Sequence, residues 1–515
     1  MLRKLRVVLA VICITLITLL FLDFTGALHG WLGWLAKIQF MPALLALNVG
    51  VVLALVVLTL LFGRVYCSVI CPLGVFQDTV SWIAGKRKKR RFTYSPAVSW
   101  LRYGMLGLFI LAFVFGLSAF VALFDPYGAY GRIANNLFAP VYQLGNNLLA
   151  GFSESIDSYA FYSVDVWIKS GITFAVAIIT VIAVGILAWR NGRTYCNTIC
   201  PVGTVLGFLS RFSLYRPTID AEKCTRCNKC VRNCKASCID TENYRVDYSR
   251  CVTCMDCIEQ CNFGAMKYVP RIGSSKPQPA KEEIVAEATE DKTNARRGFL
   301  SASALVLTAS VVKAQQQLQV DGGLADIEDK KDPNRQTPIV PPGAEGAKNM
   351  QQKCVACQLC VSVCPNNILR PSSNFSTLMQ PEMTFERGYC RPECVKCSEV
   401  CPSGAIKPIT VADKSAVSIG QAVWIKENCV VNTEGLACTA CERHCPTKAI
   451  TLVPVNPEPE QPAGPPMGFG QRPPVLKYPV VDKELCIGCG ACEYLCPARP
   501  FSAMYVEGNV RHHTV

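Results

Sequence analysis

Apolar positions are unevenly distributed along the 515-residue chain. They gather before position 190 into four long runs, and the rest of the chain is polar sequence punctuated by cysteine motifs. Residues 7–22, 42–62, 103–124 and 171–189 carry almost no charge. Their lengths approach the roughly 20 residues a helix needs to cross a hydrocarbon core of about 30 Å, so the pattern predicts four membrane-spanning helices. The first run is short enough to be a signal-peptide core. Residues 23–28 offer a poor small-residue cleavage site, however, and a second run follows closely, so it reads as a retained anchor. Basic residues set the orientation. Arg3, Lys4 and Arg6 precede the first run, residues 86–91 lie between the second and third, and Arg190, Arg193, Arg211 and Arg216 follow the fourth. Residues 125–165 carry four acids against Arg132 alone and read as an outer loop. By the positive-inside rule the basic ends face the cytoplasm.

After residue 216 the character changes. Two compact polar segments rich in cysteine, 217–270 and 350–515, are separated by 271–349, in which 271–294 is rich in Pro, Lys, Glu and Ala without apolar period and 315–349 is polar and Pro-containing, and both read as linker. Within it Arg296-Arg297 precedes a small-residue apolar run, and 295–314 reads as a twin-arginine export signal or anchor placed mid-chain. The competing reading is an interfacial helix, since the run is short for a span. The Pro-rich residues 454–474 read as a surface loop inside the last domain. The expected architecture is therefore multidomain. A four-helix transmembrane α bundle (1–216) leads to an α+β ferredoxin-like double [4Fe–4S] module (217–270), then linkers, then a second α+β four-cluster ferredoxin-like domain (350–515).

Thirty cysteines carry the chemistry. Cys224, Cys227, Cys230, Cys234 and Cys251, Cys254, Cys257, Cys261 both follow C-x2-C-x2-C-x3-C, the bacterial ferredoxin spacing in which the fourth thiolate ligates the other cluster. By that rule Cys261 completes the first set and Cys234 the second, with nearby Cys238 competing with Cys234. Zinc also takes C-x2-C pairs, but in two pairs rather than with a third C-x2-C step. Four further groups follow: Cys354, Cys357, Cys360, Cys364; Cys390, Cys394, Cys397, Cys401; Cys429, Cys438, Cys441, Cys445; and Cys486, Cys489, Cys492, Cys496. Each ends in Cys-Pro, with longer opening gaps in the middle two. Six groups of four imply six [4Fe–4S] clusters and use 24 of the 30 cysteines.

The apolar half hides a repeat. Gly63-Arg64-Val65-Tyr66-Cys67 through Cys71-Pro72-Leu73-Gly74 is matched by Gly192-Arg193-Thr194-Tyr195-Cys196 through Cys200-Pro201-Val202-Gly203. On a helix each cysteine pair sits at i and i+4 on one face, and the Pro turns the chain away. Cys67, Cys71, Cys196 and Cys200 thus stand as a candidate additional redox or metal site. A dithiol pair or simple packing are the alternatives, since buried cysteine is commonly inert.

The formal charge of +14 suggests an anionic partner. Six clusters at about −2 each would cancel most of it, so no nucleic-acid partner is needed. Mean hydropathy is +0.26. The four histidines, His29, His444, His512 and His513, all lie outside the apolar runs, which excludes bis-histidine haem there. No C-x-x-C-H haem motif and no G-x-G-x-x-G nicotinamide or flavin motif occurs.

With its two C-x3-C-P motifs and trailing double ferredoxin run, the first half resembles the NapH type of quinol dehydrogenase membrane component. The second half, from Arg296-Arg297 to Cys496, resembles the exported NapG/MauM type of four-cluster ferredoxin. The chain thus looks like a fusion of two usually separate partners. The resemblance implies electron transfer from the quinone pool to a periplasmic reductase, such as nitrate reductase, or a cytochrome, with quinol dehydrogenase activity left open. It also implies that outer cysteine groups pair with each other and inner groups likewise, placing Cys354, Cys357 and Cys360 with Cys496, and Cys390, Cys394 and Cys397 with Cys445. NosR-like regulators and CcoG-like copper-reducing assembly factors share the membrane half, although the latter lack the second cluster domain. Two other functions therefore stand beside the first: a copper- or metal-handling respiratory assembly factor, and a cytoplasmic ferredoxin–quinone relay. The expected location is the bacterial inner membrane, multi-pass, with the first module cytoplasmic and the C-terminal domain periplasmic. Clusters on opposite faces are too far apart across about 30 Å of lipid for direct transfer. Quinone, or a centre at the C-x3-C-P thiols, would have to bridge part of the gap.

Overall fold

The computed structural model describes residues 1–87, 92–158, 160–271, 320–321, 325–326, 328–455 and 476–515. The twin-arginine segment at 295–314, most of the linker and nearly all of the Pro-rich loop lie outside the described residues.

Two long apolar helices organise the first half. Leu2–Leu22 runs unbroken because its 21 residues include neither Gly nor Pro. At 1.5 Å per residue it is about 31 Å long. Asp23 stops it. Its carboxylate accepts from the backbone N–H groups of Thr25 (3.1 Å), Gly26 (3.0 Å) and Leu28 (2.7 Å) and pairs with His29 Nδ1 (3.0 Å). The second helix, Gly171–Asn191, starts at Ser170, whose hydroxyl accepts from Thr173 N–H, and ends at Gly192 with φ 69°. A Cβ on Gly192 would fall 2.4 Å from the Lys235 carbonyl oxygen, so both the left-handed backbone and the close approach of the first cluster module demand glycine.

The expected four-helix transmembrane bundle is not what forms. Only Leu2–Leu22 and Gly171–Asn191, among the described residues, are long and apolar enough to cross a membrane. The run at 42–62 is broken by Leu47 at φ 54° and by Asn48, whose side chain caps the next helix. This leaves Val49–Phe62, 14 residues, or about 21 Å. The run at 103–124 divides at Gly116 (φ 72°) into Ser99–Val114 and Ser118–Phe124. Hydropathy averaged over a window registers composition and passes over single residues that turn the backbone. The supposed outer loop at 125–165 is largely helical as well: Pro126–Ile133, a π turn Ala134–Phe138, then Ala139–Ser155. Asp125 caps this segment, accepting from Gly128 N–H at 2.6 Å, and every residue of Pro126–Ile133 is buried.

The two cluster modules sit at opposite ends of the long helices. At the start of Leu2–Leu22, Arg3 pairs with Asp256 (2.7 Å) and Glu259 of the first module. Just past its end, the Thr25 carbonyl accepts from Lys396 of the second domain at 3.2 Å. Gly171–Asn191 runs the other way. Lys169, ahead of it, donates to the Val361 carbonyl at 3.0 Å, and Arg193 N–H, beyond it, donates to the Lys235 carbonyl at 2.9 Å. Trp167 lies between Arg370 and Arg387 of the second domain, 4.5 and 4.6 Å from its ring centre. One apolar core continues from Leu20, Phe21, Tyr127 and Ile133 into Val355, Leu359 and Phe385. The helices and the C-terminal domain therefore share buried surface.

Both modules are built as small α+β units, as expected of ferredoxins. In the first, Tyr215–Ile219 pairs antiparallel with Met266–Pro270, closing the segment end to end, around the hairpin Ile239–Asp240/Arg245–Val246. In the second, Leu369–Pro371 pairs with Pro381–Met383, Val417–Trp424 with Met504–Thr514, and Ile450–Pro454 with Lys477–Val481.

Candidate iron–sulfur centres and a buried thiol cluster

The cysteine motifs fold locally, and tertiary packing then decides which of them meet. Each motif ends in a one-turn helix, and these pack in pairs: Lys229–Arg232 on Asp256–Glu259, Leu359–Ser362 on Lys396–Val400, and Ala440–Arg443 on Ala491–Tyr494. The packing exchanges the fourth cysteine of each motif. Cys224, Cys227, Cys230 and Cys261 line one cavity, and Cys251, Cys254, Cys257 and Cys234 line its neighbour. Cys238 lines that second cavity too, its sulfur 3.5 Å from that of Cys234.

In the C-terminal domain the partners differ from those the family resemblance implied. Cys390, Cys394 and Cys397 meet Cys364, not Cys445. Cys429, Cys438 and Cys441 meet Cys496, while Cys486, Cys489 and Cys492 meet Cys445. Cys354, Cys357 and Cys360 are within electrostatic reach of Cys401. The first group thus exchanges with the second and the third with the fourth, because consecutive one-turn helices are the ones that pack.

The surroundings suit cubane clusters. Five of the six cysteine sets each line a cavity of their own. In every C-x2-C-x2-C group the residues flanking the second cysteine have positive φ: Arg226 and Asn228, Thr253 and Met255, Ala356 and Gln358, Gly488 and Gly490. This alternation turns successive N–H groups inward as an anion-binding nest of the kind found at Fe–S sites. Where the opening gap is longer the nest is absent, and Val395 and Thr439 have φ −116° and −126°. Backbone N–H groups of Ala356, Ile406, Ala422 and Ala503 donate to the sulfurs of Cys354, Cys401, Cys486 and Cys496 at 3.3–3.4 Å. Burial pushes Cys230 up to about 11 and Cys357, Cys441 and Cys489 up to about 12. An unliganded thiol there keeps its proton, which a metal would displace.

The two C-x3-C-P repeats converge. All four of their thiols are buried. Val65–Val69 and the π turn Tyr195–Ile199 carry the first cysteine of each pair, and the second stands at the start of Pro72–Arg87 or Pro201–Leu209. The repeats clasp each other. Arg193 Nη1 donates to the Cys67 carbonyl (2.7 Å) and Arg64 Nη2 to the Cys196 carbonyl (3.2 Å). Cβ atoms on Gly74 and Gly203 would fall 2.3 and 2.1 Å from those same carbonyl oxygens. Gln77 Nε2 lies 3.1 Å from the Cys196 sulfur. Arg64 and Arg193 are the residues sequence reading missed. Arg193 stands in the sequence as a basic flank, yet both are fully buried. Their identical place in the two repeats was the available signal. His29 is buried against Asp23, and Cys13 lies half-exposed on the first long helix.

Comparisons with known proteins agree with the cluster chemistry. A 4Fe–4S binding domain family matches residues 44–91 and 172–217, the two segments holding the C-x3-C-P repeats. A 4Fe–4S dicluster domain family matches 353–405, which encloses the first exchanging pair of motifs, and 436–499, which encloses the second apart from Cys429. The methylamine utilization ferredoxin-type protein MauM of Methylobacillus flagellatus is 34% identical over 165 residues, 31% of this chain and 64% of that protein. MauM of Paracoccus denitrificans is 30% identical over 221 residues, 42% of this chain and 82% of that protein. The ferredoxin-type protein NapG of Escherichia coli is 34% identical over 185 residues, 34% of this chain and 74% of that protein. The chain spans just under two thirds of the length of some of these relatives, 64% and 65% for two MauM proteins. No solved structure matches it.

Proposed function

The chain belongs to the family of NapG and MauM ferredoxin-type proteins, and from that premise we propose that it carries electrons from quinol, across a membrane, to an extracytoplasmic reductase. That it is a ferredoxin-type 4Fe–4S electron-transfer protein rests on the family and the matched cluster domains. The finer reading joins a NapH-type membrane half to this family and fills the six cysteine sets with six [4Fe–4S] clusters. Such clusters supply one-electron transfer at potentials from roughly −700 to +450 mV, tuned by hydrogen bonds to sulfur and by burial. The chain's own part is to hold them. The thiolates ligate, the nests and the N–H donors to sulfur offset anionic charge, and the paired one-turn helices keep neighbouring clusters together.

One observation supports the crossing. The first module meets Arg3 at one end of a helix about 31 Å long, and the second domain meets Thr25 just past the other end. That length matches a hydrocarbon core of about 30 Å. The test is the sidedness of the C-terminal domain, read by protease treatment of intact spheroplasts with detection of a tag after Val515. Digestion from outside is expected. Protection until lysis would overturn the reading and leave a relay with all its clusters on one side.

A further inference from the structure

Six ferredoxin sets leave the C-x3-C-P thiols without a role, and the charge around them does not balance. Arg64, fully buried, meets only neutral partners: Asn197 Oδ1 at 2.8 Å, the Ser249 and Cys196 carbonyls at 3.1 and 3.2 Å, and the Cys67 sulfur at 3.8 Å. Arg102, 2% exposed, ends on the Ser249 hydroxyl and carbonyl and the Gly203 carbonyl. Among the described residues neither guanidinium forms an ion pair with a carboxylate; Asp247 reaches Arg102 only through the Ser249 hydroxyl, while Arg64 has none. Arg193 has Asp78, but that carboxylate also serves Arg6 and Lys235. A buried ion without a counter-charge is strongly unfavourable, so an anionic group belongs here.

We propose that Cys67, Cys71, Cys196 and Cys200 together hold one further iron–sulfur cluster, shared between the two repeats, with Arg64 and Arg193, 3.8 Å from the Cys67 sulfur and 3.9 Å from the Cys196 sulfur, as the buried cations beside it. Each repeat alone offers two cysteines, and a [2Fe–2S] or [4Fe–4S] cluster takes four. The 4Fe–4S family match to both segments is therefore met by one shared site. Four thiolates on such a core leave about two negative charges, which the guanidiniums at the Cys67 and Cys196 sulfurs, Arg64 and Arg193, offset. The helices Pro72–Arg87 and Pro201–Leu209 begin at Cys71 and Cys200 and turn their positive ends toward them, and Gly203 N–H lies 3.4 Å from the Cys200 sulfur.

The position also fits. Arg64 ties the site to Ser249, two residues before Cys251 of the first module. On the other side Tyr195 donates to the Phe124 carbonyl, and nearby Arg132 donates to the Ala356 carbonyl beside Cys357. A centre here stands between the two cluster modules. That purpose rests on the electron-transfer reading, whereas the chemistry of the site does not.

The experiment uses the full chain, purified anaerobically in detergent, with iron, acid-labile sulfide and zinc counted per chain and EPR recorded after reduction. The wild type is expected to hold about two to four irons beyond the six cubes, and Cys67→Ser/Cys196→Ser to lose that excess while ferredoxin-type signals persist. Should the double variant fail to fold, the wild-type iron count decides alone. In Arg64→Gln, which keeps all four thiols, the midpoint potential of the additional signal is expected to fall. Iron that stops at the six cubes, or zinc in place of the excess iron, overturns the proposal. Absence of ferredoxin-type signals from the wild type would instead sink the functional reading, whatever the four thiols hold.

Discussion

Asp78→Asn isolates the strongest electrostatic joint in the molecule. The carboxylate is one-tenth exposed and lies 2.9 Å from Arg193 Nε, 2.8 Å from Arg193 Nη2, 2.8 Å from Arg6 Nη1 and 3.7 Å from Lys235 Nζ. These cations come from three places: the N-terminal helix, the second thiol repeat and the first cluster module. Burial alone would raise the Asp78 pKa, but Arg193, Lys235 and Arg6 outweigh it and hold the carboxylate well below its usual range. Asparagine keeps an acceptor for Arg193 Nε and removes the charge, so a buried guanidinium loses its counter-ion. Removing one partner of a buried pair costs about 3–5 kcal/mol, and we expect the low end, about 3 kcal/mol, because the hydrogen bond survives. Thermal unfolding of the full chain in detergent reads the loss, and hydrogen exchange across 217–270 reports whether the first module loosens. Lys235→Met removes the longer contact to Asp78 together with a 3.2 Å pair to Asp256 at a mostly buried side chain, so it should cost up to about 3 kcal/mol, and the double variant should be less than additive. Since the folded pKa is depressed, the Asp78 contribution is present above the usual carboxylate pKa and is lost only as pH falls below it. Melting unchanged to within about 0.5 kcal/mol, typical of a surface substitution, would refute the assignment of Asp78 as the shared counter-ion.

Cluster pairing is testable with double variants: Cys354→Ser/Cys401→Ser should cost one cube, about four irons, whereas Cys354→Ser/Cys496→Ser should cost two; the reverse pattern in iron counts would restore the outer-with-outer pairing. Gly203→Ala should destabilise the thiol site by about 1–3 kcal/mol, because its Cβ would stand 2.1 Å from the Cys196 carbonyl oxygen, while Gly85→Ala, with nothing within 4 Å, serves as a neutral control in melting experiments. His512 is held down to about 4 by burial, with no partner on either ring nitrogen among the described residues. Its depressed folded pKa means that the unfolded chain binds the proton first, so stability should fall as pH drops from about 6.5 toward 4, and His512→Phe should flatten that slope in pH-dependent melts.

Local spacing carried the cluster motifs. In C-x2-C-x2-C a few covalent links fix three sulfurs around one space, so Cys224, Cys227 and Cys230 were legible as a set, and the crossing of Cys234 and Cys261 followed from the ferredoxin rule that the fourth cysteine ligates the neighbouring cluster. The crossing in the C-terminal domain was not legible, because Cys364, Cys401, Cys445 and Cys496 choose partners only when one-turn helices pack. The repeat Gly-Arg-x-Tyr-Cys was visible as a repeat. That Arg64 and Arg193 clasp across it, buried without the solvent that basic residues usually keep, was not.

What the sequence by itself determined is the chemistry: six thiol sets of ferredoxin type, a repeated dithiol motif and an apolar first half, all properties of residue identity and short-range spacing. Tertiary structure decided which helices are long enough to cross a bilayer, since Leu47, Asn48 and Gly116 break runs that composition alone presents as continuous. It also decided that the two cluster modules dock at opposite ends of the long helices, and that four distant thiols meet between them. Those outcomes depend on contacts between residues tens to hundreds of positions apart, such as Arg3 with Asp256 and Lys396 with Thr25. Their energies arise only after the chain has folded back on itself, and no local pattern encodes them.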